Sequence, residues 1–81
     1  MKRGRLKYRR IFLIQARRTH EGKYQKAYLK FHKDDFSYCN EDLATRFYNE
    51  EEAEGKLRLI GKLKGIDLMV IEGPHETYYE A

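Results

Sequence analysis

The chain has 81 residues, one cysteine and a net charge of +4. That length makes one domain near the small end for independent stability, so a homodimer partner is consistent with it. No apolar run approaches the about 20 residues of a membrane span, which argues against a membrane partner, and a lone Cys39 excludes an internal disulfide. The basic N-terminus lacks the apolar stretch of a signal peptide, and together with the single cysteine this fits a reducing, cytoplasmic setting.

The small net charge hides a polarised sequence. Residues 1–33 hold 12 Lys/Arg and one acid, Glu21, giving +11; residues 34–81 hold 5 Lys/Arg and 12 Asp/Glu, giving −7. Such a split predicts a basic patch if the fold keeps the halves on different surfaces. The halves could equally pair with each other, within one chain or between two.

In chain order, residues 1–7 read as a flexible basic arm in which Lys2, Arg3, Arg5 and Lys7 alternate with small or apolar residues. Residues 8–73 form the folded domain. Tyr8 to Ala16 is its first strand, and the run Ile11-Phe12-Leu13-Ile14, apolar on both faces, predicts neighbours on both sides. Arg17 to Lys23 reads as a polar connection with Glu21-Gly22 as its turn. Tyr24 to His32 is the second strand: Ala27, Leu29 and Phe31 alternate with Lys26, Tyr28, Lys30 and His32, which predicts one buried face and one basic, aromatic face. Lys33-Asp34-Asp35 is a short turn into a third strand, Phe36 to Cys39. Residues 40–46 then turn the chain, with at most one helical turn.

The clearest helix follows. Asn49 is a good N-cap, with Glu52 at capping-box spacing and Tyr48 and Ala53 at staple positions. Glu50, Glu51 and Glu52 match the positive end of the helix dipole and Arg58 the negative end. Ala53, Leu57, Ile60 and Leu63 fall on one stripe, and Gly61 or Gly65 supplies the stop. Ile66 to Glu72 is the last strand, ended by Gly73-Pro74. Residues 74–81 read as an acidic, tyrosine-bearing tail.

The fold class expected is α+β, in the order β-β-β-α-β: a four-stranded mixed sheet with one amphipathic helix packed on one face. A right-handed crossover through the helix predicts a last strand parallel to the first. The apolar run places the first strand centrally, in the spatial order 4-1-2-3.

Ala44-Thr45-Arg46-Phe47 followed by Glu51-Glu52-Ala53, with a hairpin or meander before and a strand after, resembles a group of small accessory proteins of phages and prophages of low-GC Gram-positive bacteria. That resemblance spans most of residues 8–72 and implies a mobile-element origin. Phe47, Glu52 and Ala53 also fit the helix opening of the arm-site DNA-binding domain of tyrosine recombinases, to which the three strands before the helix are similar. That likeness implies DNA contact through a sheet face, and this chain differs from it by a fourth strand after the helix.

The strongest candidate chemistry is electrostatic binding of DNA or RNA. Lys2, Arg3, Arg5, Lys7, Arg9 and Arg10 would neutralise phosphates as an arm, with Arg17, Arg18 and Lys23 in the adjacent loop. Lys26, Tyr28 and Lys30 would add a basic, aromatic strand face for backbone contact or stacking. The rival reading is a protein-interaction module, either a binder of a host protein or a homodimer. His20, His32, His75 and Cys39 lack metal-site spacing, so no metal or cofactor is expected. Nothing beside Cys39 and His32 suggests an oxyanion hole or an activating third group, so the chain reads as a non-enzyme.

Overall fold

One antiparallel pairing runs the length of the molecule and everything else hangs on it. The computed structural model describes residues 4–80. Its elements are β1 (Arg5–Arg9), β2 (Phe12–His20), β3 (Lys23–His32), β4 (Asp35–Cys39), a 3-10 turn (Glu41–Leu43), α1 (Glu50–Ile60), β5 (Asp67–Glu72) and β6 (Glu76–Glu80). The extents are 57 × 26 × 18 Å. β2 pairs with β5 from Phe12–Glu72 to Arg17–Asp67, and β1 pairs with β6 from Arg9–Glu76 to Arg5–Glu80. Between the two ladders the Gly73 amide donates to Ile11 O at 2.9 Å. Arg10 alone then faces two residues, Pro74 and His75, so the junction is a bulge. Pro74 suits it because a bulged position needs no ladder donor.

The loose arm and tail predicted from the sequence are therefore a two-stranded ribbon over the described residues. Alternation explains this. Leu6 faces Tyr79 and Tyr8 faces Thr77 on one side, while the charged residues of β1 meet Glu76 and Glu80 on the other.

The four-stranded sheet has the order β4-β3-β2-β5. This is the spatial order predicted, with the apolar strand central. All its pairings are antiparallel, so the expected mixed sheet and parallel last strand are corrected. The cause lies in residues 40–49. β4 ends at Cys39, level with Tyr28, and the chain then doubles back to the start of β2. There Phe12 N–H donates to Phe47 O at 2.7 Å and Phe47 N–H to Phe12 O at 2.9 Å. Because this return has already crossed the sheet end, α1 runs alongside β2 and the strand after it comes back antiparallel.

The same segment plugs a gap. β2 and β3 pair only from Gln15–Tyr28 to His20–Lys23. Below that level Thr45 and Phe47 lie between them: Thr45 N–H donates to Leu29 O at 3.1 Å, and Phe31 N–H donates to Thr45 Oγ1 at 2.8 Å. Ala44 is buried with Ile11, Leu13 and Tyr28 on one face, while Phe47 is buried with Phe12, Ile14, Ala16, Leu29 and Ala53 on the other. The chain thus passes from one face of the sheet to the other at the splay.

α1 begins and ends where its local signals put it. Asn49 Oδ1 accepts from Glu51 N–H at 2.7 Å, and Gly61, at φ 73°, donates its N–H to Leu57 O. Ala53, Leu57 and Ile60 face the sheet. Tyr48 does not act as a staple; its hydroxyl donates to Glu76 at 3.1 Å. Eleven helical residues cover about 16 Å, whereas the nine of β2 span about 30 Å. The outer half of the β2–β3 hairpin consequently projects past the helix.

Candidate nucleic-acid interface

The structure separates the predicted basic residues into two groups at opposite ends of the molecule. Lys2 and Arg3 lie outside the described residues. Lys7 and Arg9, expected in a free arm, are neutralised by the tail, and Arg10 by the end of β5. Lys7 Nζ lies 2.6 Å from Glu80, Arg9 2.5 Å from Glu76, and Arg10 donates twice to the Glu72 carboxylate at 2.7 and 3.3 Å. Arg9 also lies 4.2 Å from the Tyr48 ring centroid and 4.9 Å from that of Tyr78. Arg46 adds a second cation to Glu76 at 3.2 Å. Glu76 is accordingly held below the ordinary carboxylate range, first by its hydrogen bond from Arg9, and Glu72 likewise by Arg10. The same bonds raise both guanidinium groups. Arg5 stands opposite Glu80 in the ladder and is exposed.

The second group is on the β2–β3 hairpin. Arg17, Arg18 and Lys23, expected in a loop, are on its strands instead, Arg17 and Arg18 in β2 and Lys23 in β3, because the turn takes only Glu21 and Gly22. The Glu21-Gly22 turn predicted from the sequence closes it in two residues, with His20 opposite Lys23. Both turn residues have positive φ, 51° and 73°, as a tight hairpin with matched twist requires. That register sets Arg17 opposite Lys26 and Arg18 opposite Gln25. Arg17 Nε donates to Gln15 Oε1 at 2.6 Å and Arg18 Nε to Gln25 Oε1 at 2.7 Å. A neutral amide fixes each guanidinium without cancelling its charge. The terminal nitrogens of both arginines make no hydrogen bond or ion pair among the described residues, and the same holds for the ammonium groups of Lys23, Lys26 and Lys30. Two acids lie near. Asp67 is the ladder neighbour of Arg17 without an ion pair, and Glu21 lies 3.8 Å from His20.

Tyr28 shares its side of the sheet with Lys26 and Lys30, as alternation predicts, but it is not a stacking surface. It is 8% exposed, because residues 40–44 fold over that end of the face. Its hydroxyl accepts from Gln15 Nε2 at 3.1 Å and approaches Glu41 at 3.4 Å. The buried Gln15 is satisfied at both ends, by Tyr28 and Arg17. The aromatic residue that does face outward is Tyr24, 60% exposed and opposite Thr19. Gln15 and Gln25 are what sequence reasoning missed. The two-residue turn was the available signal, since it fixes every cross-strand pair above it.

Cys39 and His32 are each engaged elsewhere. Cys39 Sγ donates to Tyr28 O at 3.5 Å, burial pushes its thiol pKa up, and His32 Nε2 lies 3.0 Å from Ser37 Oγ. Among the described residues no cluster of three or more His, Cys, Asp or Glu is placed to hold a metal ion, and no helix is long and apolar enough to cross a membrane. No family model, curated protein or solved structure matches the chain.

Proposed function

We propose that this protein binds nucleic acid through the phosphate backbone, with the projecting β2–β3 hairpin as the contact surface. Arg17, Arg18, Lys23, Lys26 and Lys30 supply the charge. The observation that carries the reading is the contrast in partners: the hairpin arginines are positioned by glutamines, the arm cations by glutamates. A cation already paired with a carboxylate releases little on meeting phosphate, whereas an amide-held guanidinium offers its full charge in a fixed orientation. The mobile-element origin implied by the helix motif belongs to the same proposal.

The test is fluorescence anisotropy of labelled duplex and single-stranded oligonucleotides over a salt series. Five phosphate contacts predict a slope of log K on log salt of about −4.5 on duplex and about −3.5 on a single strand. Changing Arg17, Arg18, Lys23 and Lys26 to Gln should flatten the duplex slope to about −1. Changing Lys7, Arg9 and Arg10 to Gln should leave it near the parent value. The opposite pattern would return the activity to the arm and overturn the proposal.

A second reading, a protein-interaction module, draws on a different surface. Leu6, Tyr8 and Tyr79 share one face of the β1–β6 ribbon and are 49%, 64% and 76% exposed. Sedimentation of the full chain would reveal self-association through that face, and a monomer at high concentration would remove the homodimer form of this reading.

A further inference from the structure

The sheet carries an open groove of about 590 Å³ just past the end of the helix, within the usual range for a small-molecule site. Ala16 and Ala27, directly paired and on the helix side, lie beneath it, with Ile66 beside them. No residue of α1 lines it, because the helix is too short to reach this level. Tyr38, about half exposed and paired with Leu29 on the helix side, borders it. So does Arg18, whose Nε is held by Gln25 while its terminal nitrogens carry no partner among the described residues. Arg17 and Lys26, the next rung of the ladder, reach the groove only from the opposite face of the sheet, where alternation sends their side chains.

We infer that this groove receives one unpaired nucleobase of a bound single strand, with the adjoining phosphate on Arg18. The inference rests on the nucleic-acid reading above and adds to it a preference for single strands. Three features select this occupant. The paired alanines leave a flat apolar surface where any larger side chain would project, which suits a planar ring. The Tyr38 ring offers a stacking surface that tolerates any base. The Arg18 guanidinium beside an apolar floor favours an anionic group attached to that ring, which a nucleotide provides and a neutral apolar ligand does not. A duplex keeps its bases stacked inside and presents only phosphates, so it would use the cations without filling the groove.

The experiment measures anisotropy of three labelled probes: a short oligothymidylate, its abasic counterpart with the same phosphates, and a duplex of equal length. The natural strand should bind at least about fivefold more tightly than the abasic strand, the least expected of one stacked base. Ala27→Leu fills the groove and should abolish that preference while leaving duplex affinity and salt slope unchanged. Tyr38→Ala removes a bordering ring and should reduce the preference without filling anything, so a folding defect in one variant does not decide the matter. Equal binding of natural and abasic strands overturns the groove and leaves the phosphate reading standing, as does an undiminished preference in folded Ala27→Leu. Binding of none of the three probes overturns both.

Discussion

The segment that returns the chain between β2 and β3 should hold the fold together, and Phe47→Ala tests it. The Phe47 ring is buried, meets Phe31 edge-on at 5.8 Å between centroids, and belongs to the cluster that joins helix to sheet. Deleting a core phenylalanine ring costs about 3–5 kcal/mol. A chain of this length has roughly 4–12 kcal/mol of stability in all. The variant should therefore lose a quarter or more of its stability, with a melting temperature lowered by roughly 12–40 °C on the scale for small domains. Thr45→Val keeps the side-chain shape but strands the Phe31 amide without its acceptor and should cost about 1–3 kcal/mol. Leu59→Ala, on a helix residue 82% exposed, should change stability by no more than about 0.5 kcal/mol. Urea unfolding followed by circular dichroism gives all three, provided the slope with denaturant stays constant. A Phe47→Ala cost below about 1 kcal/mol would refute the reasoning, since no ring buried in a joining cluster should be so dispensable.

Acid should open the β1–β6 ribbon first. Glu76 and Glu72 have folded values below the ordinary carboxylate value of about 4.3. Their contribution is complete above that value and is lost as pH falls through the lower folded values. Ring resonances of Tyr8 and Tyr78 should thus be steady from pH 7 to about 5 and move below about 4, ahead of those of Phe47; movement while the carboxylates are still charged would contradict this. Cys39, with its thiol pushed up by burial, should react with a disulfide reagent at pH 8 more slowly than glutathione does, and a faster reaction would be inconsistent with its half-buried place. Glu21 occupies left-handed backbone at φ 51°, where Asn is preferred. Glu21→Asn should stabilise the hairpin by several tenths of a kcal/mol to about 1 and tighten nucleic-acid binding by removing an acid from the basic tip. Lower stability in urea would show that the turn is not of the tight two-residue kind.

Much of the fold was legible because its signals are local. Asn49 and Gly61 bound the helix, the Glu21-Gly22 turn closes the hairpin, and the apolar run Ile11–Ile14 marks the central strand. The parallel last strand was a misreading of path. The handedness rule applies when the helix makes the whole crossing, and here residues 40–49 make it first, with no periodicity to announce them. The ribbon was misread through its charge. Arg5-Leu6-Lys7-Tyr8-Arg9 alternates as strictly as any strand in the chain, but basic residues on one side look like an arm until their partners, Glu76 and Glu80, are seen across the ladder. The split between a basic first half and an acidic second half is thus partly an internal pairing, and what survives it is the charge on β2 and β3.

The helix motif illustrates why fold was easier to read than activity. Ala44, Phe47 and Ala53 are 6%, 7% and 0% exposed. Each occupies the crossing from one face of the sheet to the other or the helix contact that follows it. The spacing that suggested a family resemblance is therefore a packing requirement: small at Ala44, where the turn presses on Leu13 and Tyr28, large at Phe47, where the splayed sheet needs filling, and small again at Ala53, where the helix meets the sheet. Any chain folded this way would need it, whatever it binds. The residues that distinguish this molecule lie outside the motif, on the projecting hairpin. There the decisive choice is between an amide and a carboxylate beside an arginine. Gln15 and Gln25 orient two guanidinium groups and leave their charge intact, and replacing both by Glu would make the hairpin electrostatically like the ribbon at the other end. Such a variant keeps every strand residue at nearly the same volume. It should keep the fold, at some cost in stability for the carboxylate buried at position 15, and lose about two fifths of the salt dependence, the duplex slope falling by about 1.8 for two neutralised contacts. An unchanged slope in folded Gln15→Glu/Gln25→Glu would mean that these arginines do not carry the contact.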